Sequence, residues 1–199
     1  GEPGSRGRGL SLFIVDAKTP GVTIQPLEQM DGNVFTEIHF SDARIPADCL
    51  VGEENGAWQM IGQALAEERH IHFGPGRVRS DFRRVCEWAK KTGLDQRQDV
   101  QEKLKQLALA VLEAEANSLP MLLSEGSAAE AATNKVTHTR VLQAIARAAL
   151  EFGGTDVLFA EEGIEVLWRQ SITETIGGGA TQIMQSIIAR QRMNLSAKS

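Results

Sequence analysis

The stretch VFTEIHFSDARIPADCLVGEENGAWQMIGQALAEERH, Val34 to His70, carries the change of period that decides the fold. Its opening residues alternate, with Val34, Thr36, Ile38 and Phe40 on one face, the period-two pattern of a strand with one buried side. Pro46 then ends any strand. From Asn55 onward the spacing becomes three and four: Trp58, Ile61, Leu65, Glu68 and His72 share one helical stripe. Asn55 is the expected N-cap of a helix starting near Gly56.

Working outward, everything before this stretch reads as strand and turn. LSLFIVDA (Leu10–Ala17) is a short run of strand formers, TPG at Thr19–Gly21 is a turn, GVTIQPLEQ is a second extended piece, and Asp31-Gly32 supply another turn. Everything after it reads as helix. FGPGRV breaks the first helix at Pro75. The pattern resumes through Val78, Phe82, Val85 and Trp88 and stops at Gly93. GLDQRQD links to a helix whose stripe is Val100, Leu104, Leu107, Val111 and Leu112, and SEGSAAEAAT reads as the next connector. A further helix is expected over about 131–152, ending at Gly153-Gly154. GIEVLWRQS is a short helical or extended piece, and a last helix is expected from about Thr181 to Leu195. The fold class is α+β: a partial antiparallel β-domain over 1–55, then a four-helix bundle over 56–199.

Bulk properties bound the partners. The chain has 199 residues and a net charge of −5, which argues against nucleic acid or an acidic membrane surface as the main partner. No window has the apolar length of a membrane span, and the first residues lack a signal-peptide core. Cys49 and Cys86 form neither a disulfide framework nor a metal spacing, so a reducing cytoplasm is expected. His70 and His72 read as surface or packing residues, because no ligand partner lies at metal spacing.

Two features stand out against this background. Glu68 sits in the apolar stripe, where a carboxylate is costly unless it is paired or functional. It is either an ion-pair partner, for instance of Arg69, or a proton acceptor whose pKa burial would raise. Gly177-Gly178-Gly179 precede an apolar helix, so they are either a simple connector or a place where free N–H groups and a helix N-terminus meet an anion or carbonyl oxygen. Neither a phosphate-binding Gly-Lys-Ser/Thr nor a strand-to-helix dinucleotide fingerprint is present there. Trp168-Arg169 upstream read as an apolar anchor beside a surface or paired cation.

In order and spacing, several stretches resemble the acyl-CoA dehydrogenase family: GLSLFIVDAKTPGVTI, FTEIHFSDARIPADCLVGEENGAW, LAEERH, and GGTDVLFAEEGIEVLWRQSITETIGGGATQIMQSIIARQR. The match runs along essentially the whole chain and corresponds to the second half of such a protein. A β-domain represented by its later strands alone is expected to leave a raw sheet edge and an open apolar face.

The resemblance implies a flavoenzyme that binds FAD and an acyl-CoA thioester, works as a homodimer or tetramer or with a chain supplying the other half, and passes electrons to a separate acceptor. The family's base is a glutamate in the closing segment, and its place here is Gly178. One branch of the family carries the base on the first long helix, directly before an arginine, which here is Glu68-Arg69. The resemblance therefore implies Glu68 as base, Gly178 as the oxyanion donor with room beside it, and Arg69 and Gly177 at the substrate. It also implies flavin contacts from Gly153, Gly154, Gly179, Thr181 and Gln182. This chain departs from the family at Ala180, where threonine is usual, at Leu150, where glutamine is usual, and in KKTGLDQRQDV, which lacks the arginine-and-Phe-Gly stretch that grips pyrophosphate. The competing expectations are a non-catalytic subunit of a hetero-oligomer and a flavin monooxygenase of the same fold.

Overall fold

The computed structural model describes residues 7–72, 74–123, 127–159 and 163–193. The chain divides into two compact units, Gly1–Glu67 and Glu68–Ser199.

The first unit holds two small antiparallel ladders. β1 (Leu12–Phe13) pairs with β4 (Leu50–Val51), and β2 (Val22–Glu28) pairs with β3 (Val34–Phe40). The β2–β3 register sets Val22 opposite Phe40, Ile24 opposite Ile38 and Glu28 opposite Val34. Directly paired residues share a face, so Val22, Ile24, Val34, Ile38 and Phe40 fall on one, mostly apolar side, and Thr23, Gln25, Glu37 and His39, with the pair Leu27 and Phe35, fall on the other. That apolar side is open: Ile24, Val34, Ile38 and Phe40 are all exposed. The run at Leu10–Ala17 yields only the short strand β1, because only Leu12 and Phe13 find a ladder partner. The turn at Asp31 is closed by its carboxylate, which accepts from Asn33 N–H at 3.0 Å and from Asn33 Nδ2 at 2.9 Å.

Helix α1 (Ala57–His72) begins where Ala57 N–H donates to Leu10 O at 3.0 Å. Asn55 is not its N-cap. Asn55 lies at φ 67, a left-handed turn conformation that asparagine tolerates, and its N–H donates to Ser11 Oγ at 2.8 Å. The α1 stripe is not a buried face either. Trp58 is 63% exposed, Leu65 is 46% exposed, and Glu68 is exposed with them. Periodicity states which side of a helix is apolar, and burial needs a partner for that side.

The second unit is helical. Pro75 opens α2 (Pro75–Lys91) at its first turn, where the missing N–H costs nothing. The helix ends in Lys90 and Lys91, which suit its negative end. α3 (Gln98–Leu123), α4 (Ala128–Gly153), α5 (Ile164–Thr173) and α6 (Thr181–Arg192) follow. α4 is central and packs against α2, α3, α5 and α6. The core joins Val78, Val85 and Trp88 of α2, Val100, Leu107 and Val111 of α3, and Leu142, Ile145 and Phe152 of α4. Leu112, expected in the α3 stripe, is 59% exposed because it lies one residue beyond the phase set by Leu107 and Val111. α4 starts at Ala128, inside the expected connector. Ser127 N–H donates to the Glu130 carboxylate at 2.8 Å and Glu130 N–H donates to Ser127 Oγ at 3.3 Å, a reciprocal capping box. The order of a small antiparallel β part followed by a helical bundle is the α+β arrangement expected. No helix among the described residues is long and apolar enough to cross a membrane.

Candidate functional site

The closing turn between α5 and α6 is ordered from within. Gly177 N–H donates to Thr173 O at 2.9 Å, and Gly179 N–H donates to Ile176 O at 3.0 Å. The expectation of free N–H groups along the triplet therefore fails at Gly177 and Gly179, because the chain folds back on the end of α5 and takes both donors. Gly178 and Gly179 have φ values of 65 and 116, a region closed to most side chains. A Cβ on Gly179 would also stand 2.5 Å from Met184 Cε of α6, so a side chain there would have to displace the methionine tip as well as adopt that φ. Beside Gly177 the space is open; the nearest atom to an added Cβ is Thr173 O at 3.6 Å.

Both ends of this turn are fixed by buried polar groups. Lys135 of α4 is completely buried, and its Nζ donates to Glu174 O at 2.9 Å and to Thr175 O at 3.5 Å. Thr139 Oγ1 reaches Glu174 O at 3.3 Å. The Glu174 carboxylate is held by Arg77 of α2 at 2.6 Å, with Asp81 near the same guanidinium at 3.9 Å. Thr181 closes the other end: its N–H donates to Thr175 O at 2.9 Å and its Oγ1 lies 3.2 Å from that oxygen. Burial pushes the Lys135 ammonium below the usual lysine range, and the neighbouring Glu174 charge opposes that. Burial likewise raises the Asp81 carboxyl, against the pull of Arg77 and Arg84.

A second buried cluster joins α3 and α4. Ser118 Oγ lies 2.9 Å from Ala114 O, 3.2 Å from Asn134 Oδ1 and 3.3 Å from His138 Nε2. His138 Nδ1 lies 2.9 Å from Asn134 O, which assigns the ring proton to Nδ1 and leaves Nε2 as an acceptor. Burial lowers the His138 pKa and keeps the ring neutral.

The residues expected at a site fall into three groups. Glu68 is exposed on α1, not on the buried face that its place in the stripe suggested. Arg69 lies in α1, and its side chain is outside the described residues, as are those of His70 and His72. Gly153 and Gly179 are explained by packing: a Cβ on Gly153 would stand 2.6 Å from both Trp88 and Val157. Gly154, Gly177 and Gln182 are the more accessible ones. An added Cβ on Gly154 meets nothing within 4 Å, and Gln182 is exposed. Open backbone at Gly154 and an exposed amide at Gln182 fit the approach of a large polar cofactor such as FAD. Arg169 is paired along α5 with Glu165, at 2.7 and 2.9 Å. Both cysteines are free. No group of three or more His, Cys, Asp or Glu side chains placed to hold a metal lies among the described residues.

Lys135, Glu174, Arg77 and His138 were not singled out from sequence. One signal was available for two of them. Lys135 and His138 fall in the phase of buried Ala131 and Leu142 on α4, the same oddity that marks Glu68.

Residues 55–193 match the family model described as the C-terminal domain of acyl-CoA dehydrogenase. Over 92% of this chain the sequence is 31% identical to the acyl-CoA dehydrogenase FadE29 of Mycobacterium tuberculosis, of which it covers 51%. The chain thus spans about half the length of the curated relatives it matches. Among solved structures, it superposes with a TM-score of 0.89 on one described as the Tcur3481-Tcur3483 steroid ACAD, at 24% identity, covering 99% of this chain and 55% of that one. It superposes at 0.85 on the ChsE4-ChsE5 complex from Mycobacterium tuberculosis, at 26% identity, covering 98% of this chain and 55% of that one.

Proposed function

Because the chain belongs to the acyl-CoA dehydrogenase family, we propose that it forms the C-terminal half of a flavin-dependent enzyme that desaturates an acyl-CoA thioester between its α and β carbons, with Glu68 as the base. Residues 1–55 are the end of its β-domain and residues 56–199 its helical domain. One observation carries this reading. The closing turn offers no carboxylate at position 178, where a glycine sits at φ 65, whereas Glu68 stands exposed on α1 directly before Arg69. Glu174, at the start of the turn, is buried against Arg77 and tied to structure.

The chemistry assigns each part. The α-hydrogen of a thioester is a weak acid, and it leaves only as its carbonyl oxygen gains a hydrogen-bond donor for the developing enolate. Glu68 takes the α-proton on a carboxylate oxygen. Gly178 brings no side chain of its own to compete with that carboxylate, and its place in the turn is the one the resemblance assigns to the oxyanion donor. Arg69 binds the CoA side, and Gly177 lets the thioester lie against bare backbone. Gly154 and Gln182, with Gly153, Gly179 and Thr181 shaping the backbone around them, are the residues that would hold FAD. When bound, FAD supplies the acceptor for the hydride that leaves the β-carbon. A separate acceptor would then take up the electrons, and the protein works in the cytoplasm as a homodimer or tetramer, or with a chain supplying the rest.

A second reading is a subunit that supports catalysis by a partner. It is favoured by the two solved neighbours described as pairs, Tcur3481-Tcur3483 and ChsE4-ChsE5. One experiment separates the readings. The flavin-loaded protein of full family length is mixed anaerobically with straight-chain, branched and ring-bearing acyl-CoA thioesters, beside Glu68→Gln. The wild type bleaches and Glu68→Gln keeps its flavin unbleached, with reduction slowed by about 10²–10⁴-fold. Bleaching at the wild-type rate in Glu68→Gln removes Glu68 from the chemistry and assigns the base to another residue, whereas a wild type that no thioester bleaches leaves the supporting-subunit reading.

A further inference from the structure

The groups left over by this mechanism converge on one spot, the exit of α5. Its C-cap is Glu174, and the last carbonyls of a helix lack intrahelical partners while carrying its negative partial charge. Here the carbonyl of the C-cap residue is buried against α4 and needs donors. A lysine is an expensive residue to bury, since its ammonium leaves water entirely. Lys135 is buried completely all the same, and its head group lies on Glu174 O and Thr175 O. Arg77 fixes the side chain of Glu174 from α2, Thr139 adds a bond to the same carbonyl from α4, and Thr181 fixes Thr175 O from α6. Between these anchors the chain passes through Gly177 to Gly179, the backbone that the proposed reaction needs in place.

We propose that Lys135 is a positioning residue: it pins the exit of α5 to α4 and thereby sets the path of the glycine turn against the thioester. This rests on the dehydrogenase reading for its consequence, although the pinning itself does not. A cation suits the task better than a neutral donor, because the ammonium offers three N–H groups to carbonyls that already sit at the negative end of a helix. Lys135 touches no reacting atom; it acts through the backbone from Glu174 to Gly178. Loosening that backbone misaligns substrate more than it weakens overall substrate binding.

The test uses the flavin-loaded protein of full family length, with Lys135→Met and the milder Thr139→Val. Stopped-flow reduction by acyl-CoA separates the rate at saturation from the dissociation constant. Amide hydrogen exchange compares Ile176 to Gly179 with Val141 to Ile145 in the core of α4. In Lys135→Met the saturated rate falls about tenfold to a hundredfold, while the dissociation constant moves less than about threefold. The amides of Ile176 to Gly179 exchange faster and those of Val141 to Ile145 do not. Thr139→Val, which removes only one bond to Glu174 O, shifts both readouts in the same direction by less, and it decides the matter if Lys135→Met does not fold. Exchange that rises equally along α4 and the turn, or a turn that exchanges as in the wild type, overturns the proposal. If the wild type itself never bleaches, the dehydrogenase reading fails, and the exchange comparison still decides whether Lys135 pins the turn.

Discussion

The β2–β3 hairpin and helix α4 carry equally clear apolar patterns, yet one is bare and the other is the centre of a core. In the hairpin, Ile24, Val34, Ile38 and Phe40 line up on one side and stay exposed. In α4, Val141, Leu142, Ile145, Ala149 and Phe152 are buried between four other helices. The difference is where the partner lies. α4 finds α2, α3, α5 and α6 within this chain, and a two-stranded ribbon with one apolar side needs further strands or a helix to be stable.

Mutations sharpen the contrast, beginning with the largest effect. Trp88→Ala empties a site between α2 and α4 and costs about 3–5 kcal/mol of stability in denaturant unfolding. A smaller loss would mean that the bundle core is looser than its packing implies. Gly153→Ala adds a methyl group 2.6 Å from Trp88 and Val157, which overpacks the core and costs about 1–3 kcal/mol. Acid acts on the same bundle through His138. Its pKa is lowered by burial from 6.5, so the unfolded chain takes up a proton before the folded one does. Stability is therefore full above about pH 6.5 and falls as the pH drops below it, until folded His138 is itself protonated. His138→Gln flattens that part of the thermal stability profile; an unchanged slope would place the titration elsewhere. Ile38→Thr in the hairpin changes the stability of this chain by no more than about 0.5 kcal/mol, the usual range for an exposed position. In the protein of full family length the same substitution costs more than about 1 kcal/mol, because the side chain is then covered. Equal effects in both would break the comparison.

Much of this was legible in the sequence, for identifiable reasons. Pro75 and Gly93 punctuate α2 because one lacks an N–H and the other takes a left-handed turn, at φ 73, that other residues avoid. The phases of Val78, Val85, Trp88, Val100 and Leu107 follow from helix geometry alone, and all five are buried. The start of α4 was hidden by its composition: SEGSAAEAAT looks like a connector, and its Ser127–Glu130 capping box outweighs that look. Glu68 was placed on a buried face because periodicity gives phase without supplying the surface that covers it. The clasp on the closing turn was illegible for a different reason. Lys135 and Glu174 are 39 residues apart, and only the packing of α5 on α4 brings them together. The inward turn of the Gly177 and Gly179 N–H groups likewise depends on how the chain leaves α5, which composition does not state.

Isotope exchange tests Glu68 as the proton acceptor without waiting for electron transfer. The flavin-loaded protein of full family length is incubated in deuterium oxide with an acyl-CoA that it binds, and loss of the α-hydrogen is followed by NMR. The account predicts α-exchange in the wild type, none above background in Glu68→Gln, and flavin and substrate still bound in that variant. Exchange at the wild-type rate in Glu68→Gln would contradict it and send the search for the base to another residue.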